Sequence, residues 1–150
     1  SHSSNVGLDA TRAGPRKTVA VIGGSFDPPT LAHLMVASQV VQLGCADEAW
    51  MIPCGNRPDK DTRVDAATRL RMTQVAIEAV MPDEFPVKCC DIEVANGSFI
   101  PTVSLMRRLR ERYPNITFCS KQARDLRLEV EFFETPYSPL SRIISSTCLG

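Results

Sequence analysis

The run Gly23-Gly24-Ser25-Phe26-Asp27-Pro28-Pro29-Thr30-Leu31-Ala32-His33 brings glycines, hydroxyls and an imidazole into one short stretch. Glycine lets a ligand come close to backbone N–H groups. A helix beginning near Thr30 would add its unpaired amides and the positive end of its dipole, which together favour a phosphate. On such a helix Thr30 and His33, three residues apart, share a face and can address one phosphate group. These residues alone leave a plainer reading open, because strand-glycine-helix junctions are common in α/β domains and threonine is a good N-cap.

The flanking pattern supplies the elements that must position them. Thr18 to Ile22 is a short β-branched run ending at glycine, as expected of a strand buried on both faces of a parallel sheet. Leu31, Leu34, Met35, Ser38 and Val41 then recur at helical spacing, with Gly44 placed to end the helix. Glu48 to Pro53 reads as a second strand, a polar loop runs from Cys54 to Arg63, and a helix from Asp65 to Val80 carries Leu70, Val75, Ala76 and Ile77. A third strand is expected over Val87 to Val94, a helix over Thr102 to Arg112 and a fourth strand over Asn115 to Cys119. Such alternation predicts an α/β fold with an open, mainly parallel sheet and helices on both faces. Beyond Ser120 the pattern offers a strand-like Leu128 to Phe133 and a helix start at Ile143 to Thr147.

Composition narrows the partners. The 150 residues are 43% hydrophobic and 23% charged, with 17 basic and 17 acidic side chains, so one domain with its own core is expected and no nucleic acid or membrane partner is indicated. Residues 1–16 are polar and aperiodic and are expected to be a flexible tail, with the domain over 17–150. The six cysteines, Cys45, Cys54, Cys89, Cys90, Cys119 and Cys148, form no CxxC pair and no zinc-ligand spacing with His2 and His33, so reduced thiols and no protein-held metal are expected. Adjacent Cys89 and Cys90 should alternate between core and surface along a strand. Trp50 is expected in the core, and Arg69, Arg107, Arg108, Arg110 and Arg112 read alone as solvated helix residues. With no charged-then-apolar leader and no apolar run near the roughly 20 residues that span a bilayer, an intracellular protein, cytoplasmic or nuclear, is the expectation.

The complete string Gly-Ser-Phe-x-Pro-x-Thr-x-x-His resembles the signature of the nucleotidylyltransferase superfamily. Further segments are similar to its nicotinamide/nicotinate mononucleotide adenylyltransferase family. Pro53 to Lys60 resembles the loop after the second strand, Arg69-Leu70-Arg71-Met72 the beginning of the next helix, Gly97 to Thr102 the pyridine-contacting turn, and Ile144-Ser145-Ser146-Thr147 the late Ile-Ser-Ser-Thr motif. The resemblance implies a Rossmann-like fold and transfer of AMP from ATP to the mononucleotide in NAD biosynthesis, with Mg²⁺ bound alongside ATP. It gives His33 and Thr30 the catalytic phosphate contacts. Gly23, Gly24, Ser25, Phe26, Ser145, Ser146 and Thr147 would line the ATP and phosphate site, and Ser25, Phe26, Lys60, Phe99 and Thr102 the mononucleotide site. Phosphopantetheine adenylyltransferase shares the first string and is the alternative enzyme; a non-catalytic nucleotide-binding relative is the other. ATP and a pyridine mononucleotide are the expected partners, and self-association is compatible with the sequence.

Two parts of the family pattern lack a counterpart. Phe118 is followed by Cys119-Ser120-Lys121-Gln122-Ala123-Arg124-Asp125 where a Gly-x-Asp turn is usual, and Gly150 stands where the late motif has an arginine. A sequence that joins the ordered parts of a longer protein would account for both and would show a break near Cys119 to Gln122. A shortened protein that keeps the fold is the alternative expectation.

Overall fold

A computed structural model describes residues 16–59 and 61–121. The elements run β1 (Lys17–Gly24), α1 (Leu31–Gln42), β2 (Glu48–Pro53), α2 (Ala66–Val80), β3 (Val87–Cys89), α3 (Ile92–Ala95), α4 (Thr102–Arg112) and β4 (Ile116–Ser120). The strands form one sheet in the order β3-β2-β1-β4, and every pairing is parallel. Chain order reverses between β1 and β4, so the ends of these two strands flank the switch point where open α/β sheets gather ligands.

Alternation along β1 explains how the sheet comes to be covered twice. Ala20 and Ile22 join Ala49, Met51 and Val87 on one face, where Leu34, Ala37 and Val40 of α1 pack, with Ala76 and Ile77 of α2 beside them. Val19 and Val21 join Trp50, Ile52 and Phe118 on the other face, under Ile92 of α3 and Leu105, Met106 and Leu109 of α4. Trp50, as expected, lies in the core, edge-on to Tyr113 and Phe118 at centroid distances of 5.2 and 5.4 Å. Burying a side chain such as Leu109 contributes about 1.5–3 kcal/mol, and the parallel sheet is protected on both faces by such contacts.

At the end of the sheet away from Gly24, Glu48 opens β2 with only 8% of its side chain exposed. It receives Lys17 Nζ at 2.7 Å, Lys88 Nζ at 2.9 Å and Trp50 Nε1 at 2.9 Å. Burial by itself would raise this carboxyl, but the three donors more than offset that and hold it at about 2. This cluster ties the starts of β1, β2 and β3 together.

Three sequence expectations are corrected. The third strand stops at Cys89 and the chain turns into α3; among the described residues β3 is the edge of the sheet and pairs with β2 only through Ala49, Trp50 and Met51. Cys89 and Cys90 are both half-buried rather than split between core and surface, since Cys90 has already left the strand. On α1 the inward face is Ala32, Leu34, Val36, Ala37 and Val40, whereas Leu31 and Met35 are 64% and 42% exposed. That helix is apolar around most of its circumference, so its periodicity alone could not select the buried stripe.

Residues 1–15, and with them most of the expected tail, lie outside the described residues, as do Lys60, Leu128 to Phe133, Ile143 to Thr147 and Gly150. Near the expected break, β4 continues through Cys119 and Ser120, and the Lys121 N–H donates to Val21 O at 3.1 Å. Gln122 lies outside the described residues. Among the described residues no helix is long and apolar enough to cross a membrane.

Candidate functional site

β1 ends at Gly24, and the next residues turn sharply into α1. A Cβ on Gly23 would meet nothing within 4 Å, whereas one on Gly24 would press on the Phe26 ring at 3.1 Å. Phe26 adopts φ 51°, a left-handed conformation rare for a bulky residue, and is only 2% exposed. The strain is offset by a ring packed under the turn and edge-on to His33, with centroids 5.1 Å apart. Asp27 fixes the far side of the turn, its carboxylate accepting the Arg63 N–H at 2.6 Å.

Thr30 is the N-cap of α1, with extended backbone angles of φ −115° and ψ 165°. His33 Nδ1 accepts the Thr30 N–H at 2.9 Å and lies 2.9 Å from Thr30 Oγ1. A ring nitrogen that accepts a backbone N–H carries no proton, so the neutral imidazole keeps its proton on Nε2 and can donate from there. Burial lowers the His33 pKa, which favours this neutral form. A hydroxyl, an Nε2–H donor and a helix N-terminus therefore stand together at the end of β1. The arrangement suits an anion on which negative charge grows during reaction.

Two further loops are bound to this junction. The Cys54 N–H, just past β2, donates to Gly24 O at 2.9 Å. Arg69 of α2 is fully buried and donates to Ser25 O at 2.9 Å and Cys54 O at 2.8 Å. The loop ahead of α4 closes from the other side: the Phe99 N–H donates to Asn56 O at 3.2 Å, and a Cβ on Gly55 would lie 2.5 Å from Ser98 C. Only glycine permits that approach. Glu93, 3% exposed, accepts the Gly55 N–H at 3.2 Å and the Ile100 N–H at 3.1 Å. Its burial raises the carboxyl pKa, partly offset by those two N–H donors and the charges of Arg57 and Arg69. Arg57 places its guanidinium 4.4 Å over the Phe99 ring centroid while Nε donates to Asp59 at 2.9 Å.

Of the residues expected from sequence, Gly23, Gly24, Ser25, Phe26, Thr30 and His33 are gathered at the β1–α1 junction. Phe99 is half-buried beside Arg57, and Thr102 is the exposed first residue of α4. Phe99 joins the junction indirectly, its N–H bound to Asn56 O in the loop that Arg69 ties to Ser25 through Cys54 O. Lys60, Ser145, Ser146 and Thr147 fall outside the described residues. The reading of Arg69 as a solvated helix residue is overturned by its complete burial. A lone arginine on a helix gives no sign of burial when the carbonyls that pair with it lie on distant loops. Glu93 was hidden inside an expected strand, and its one signal is a carboxylate set between the apolar Ile92 and Val94. Arg107, Arg108, Arg110 and Arg112 are exposed, as expected. Among the described residues no group of three or more His, Cys, Asp or Glu side chains could hold a metal ion.

Comparison with known proteins matches the cytidylyltransferase-like family model over residues 21–136. The probable nicotinate-nucleotide adenylyltransferase of Shouchella clausii is 31% identical over 102 residues, 68% of this chain and 52% of that protein. The protein of the same name in Oceanobacillus iheyensis is 36% identical over 104 residues, again 68% and 52%. The chain thus spans about half the length of the curated relatives it matches. Among solved structures, the Plasmodium falciparum nicotinic acid mononucleotide adenylyltransferase complexed with NaAD is 29% identical, with a TM-score of 0.60 over 76% of this chain and 55% of that one. The same enzyme complexed with APC gives 27% identity and a TM-score of 0.57 over 76% and 54%.

Proposed function

The chain belongs to the cytidylyltransferase-like family, and from that premise we propose that it transfers the adenylyl group of ATP to nicotinate or nicotinamide mononucleotide and releases pyrophosphate. The observation that carries this reading is the Thr30–His33 pair, hydrogen-bonded at 2.9 Å on the first turn of a helix that starts at the end of the central strand. The relatives named for nicotinate nucleotide favour a pyridine acceptor over phosphopantetheine, and the acid over the amide.

In the proposed reaction a phosphate oxygen of the mononucleotide attacks the α-phosphorus of ATP in line, and the bond to the bridging oxygen of pyrophosphate breaks. Two phosphates must be aligned and the charge that builds on the leaving group must be stabilised. His33 would donate from Nε2 to the α- and β-phosphates as a neutral group, its orientation fixed before substrate arrives by the Thr30 N–H. Thr30 would add its hydroxyl, and the Gly23 to Phe26 backbone would let both phosphates approach. Phe99 and Thr102 would flank the pyridine nucleotide together with Ser25, Phe26 and Lys60; Ser145, Ser146 and Thr147 would serve ATP. Mg²⁺ bound together with ATP would supply further neutralisation of the phosphate charge.

The test is to incubate the full chain with ATP, Mg²⁺ and one acceptor at a time: nicotinate mononucleotide, nicotinamide mononucleotide or phosphopantetheine. Mass analysis should find the deamido dinucleotide or NAD. A product from phosphopantetheine alone, or ATP bound and never consumed, would refute the reading.

A further inference from the structure

The site has two buried charged side chains that the proposed chemistry does not use. Arg69 of α2 sends its guanidinium N–H groups to Ser25 O and Cys54 O at 2.9 and 2.8 Å, with longer approaches to Val64 O and Gly55 O at 3.3 and 3.5 Å. Glu93 of α3 uses one oxygen to take N–H groups from two loops, Gly55 at 3.2 Å and Ile100 at 3.1 Å. Gly55 is their meeting point: its N–H is held by Glu93 and its carbonyl faces Arg69.

Taking a charge out of water is costly, and both charges are directed at loop backbone. A planar fork dictates the separation and direction of the carbonyls it binds, and a carboxylate oxygen shared by two amides dictates how far apart their loops stand. Apolar residues of similar volume could fill the same space but would not fix those positions. We infer that Arg69 and Glu93 are positioning residues that lock the loop after β1, the loop after β2 and the loop before α4 into one rigid rim, so that the phosphate junction and the proposed pyridine loop keep a fixed spacing. The functional half of this inference rests on the proposed adenylyl transfer; the mechanical half does not.

The experiment measures amide hydrogen exchange of the ligand-free full chain as wild type, Glu93→Ala, Glu93→Gln and Arg69→Lys. Removing the Glu93 carboxylate should speed exchange at Gly55 and Ile100 about tenfold or more while Val19 to Ile22 and Ala49 to Ile52 keep their protection, because loss of one charge-assisted bond opens a loop locally. Glu93→Gln retains an acceptor oxygen and should stay within about threefold of wild type. Arg69→Lys loses the fork and should expose the Cys54 N–H in the same selective way. If Glu93→Ala does not fold, Arg69→Lys decides alone. Exchange that rises uniformly through the sheet, or loops that keep wild-type protection, would overturn the inference in favour of a purely stabilising role. In parallel, kcat/KM for nicotinate mononucleotide should fall about tenfold in Glu93→Ala and recover in Glu93→Gln. A wild-type chain with no transferase activity would sink the proposed function and leave the exchange result standing.

Discussion

Replacing Gly55 by alanine adds one methyl group at the tightest point of the site. The new Cβ would lie 2.5 Å from Ser98 C, 2.6 Å from Ser98 O and 3.0 Å from Phe99 N. All three are backbone atoms, so no side chain can swing aside, and the two loops must separate by about 1 Å to restore ordinary carbon contacts. The Glu93 bonds to Gly55 N and Ile100 N already measure 3.2 and 3.1 Å, so a shift of that size breaks at least one of them. Losing one hydrogen bond to a buried charge costs about 1.5–3 kcal/mol, which for a domain of this size lowers Tm by roughly 6–10 °C. The Phe99 turn moves with Ser98, so kcat/KM for the mononucleotide should drop about tenfold or more. A thermal melt and steady-state kinetics on the same preparation read both effects. Unchanged Tm and unchanged kcat/KM in the variant would mean that this contact does not set the loop spacing.

Glu48→Gln tests the charge cluster at the other end of the sheet. A folded pKa of about 2 lies well below the ordinary 4.5, so its stabilisation is present above pH 4.5 and is lost as pH falls through 4.5 toward 2. That shift alone would be about 3 kcal/mol, and half-exposed lysines reduce it to about 1–2 kcal/mol; denaturant unfolding should show that deficit for the variant at pH 7 and much less of it near pH 2. Phe26→Ala removes the ring that packs edge-on to His33, so the imidazole pKa should climb back toward 6.5, as followed by NMR titration. In the wild type the lowered pKa means that the unfolded chain takes up its proton first, so stability falls as pH drops below 6.5 toward the folded value, and Phe26→Ala should flatten that slope.

What could be read from the sequence divides by the range of the interaction that fixes it. β2 and α4 have the expected limits, and the Thr30–His33 contact follows from helical spacing, because each depends on neighbours in the chain. The end of β1 at Gly24 within a parallel sheet also followed, since a β-branched run stopped by glycine is itself a local pattern; the strand order, which depends on pairings distant in sequence, did not. The end of β3 was not legible, because it depends on where this strand leaves β2 beside Met51 and turns into α3, a contact between segments distant in sequence. Arg69 and Glu93 take their roles from carbonyls and amides 14 to 44 residues away or from loops that converge only after folding. The stripe of α1 that packs inward is set by the sheet beneath it, and a helix apolar on several sides gives no local clue.

If His33 is the preorganised donor to the phosphates, steady-state turnover of His33→Ala with ATP, Mg²⁺ and nicotinate mononucleotide, beside a melt of both proteins, reads that role directly. Loss of one such donor typically reduces kcat about 10²–10³-fold, and the half-buried His33 belongs to neither core cluster. The expected result is a fall in kcat of that order, a much smaller change in mononucleotide affinity and a folded variant. A folded His33→Ala protein with near-normal kcat would contradict it.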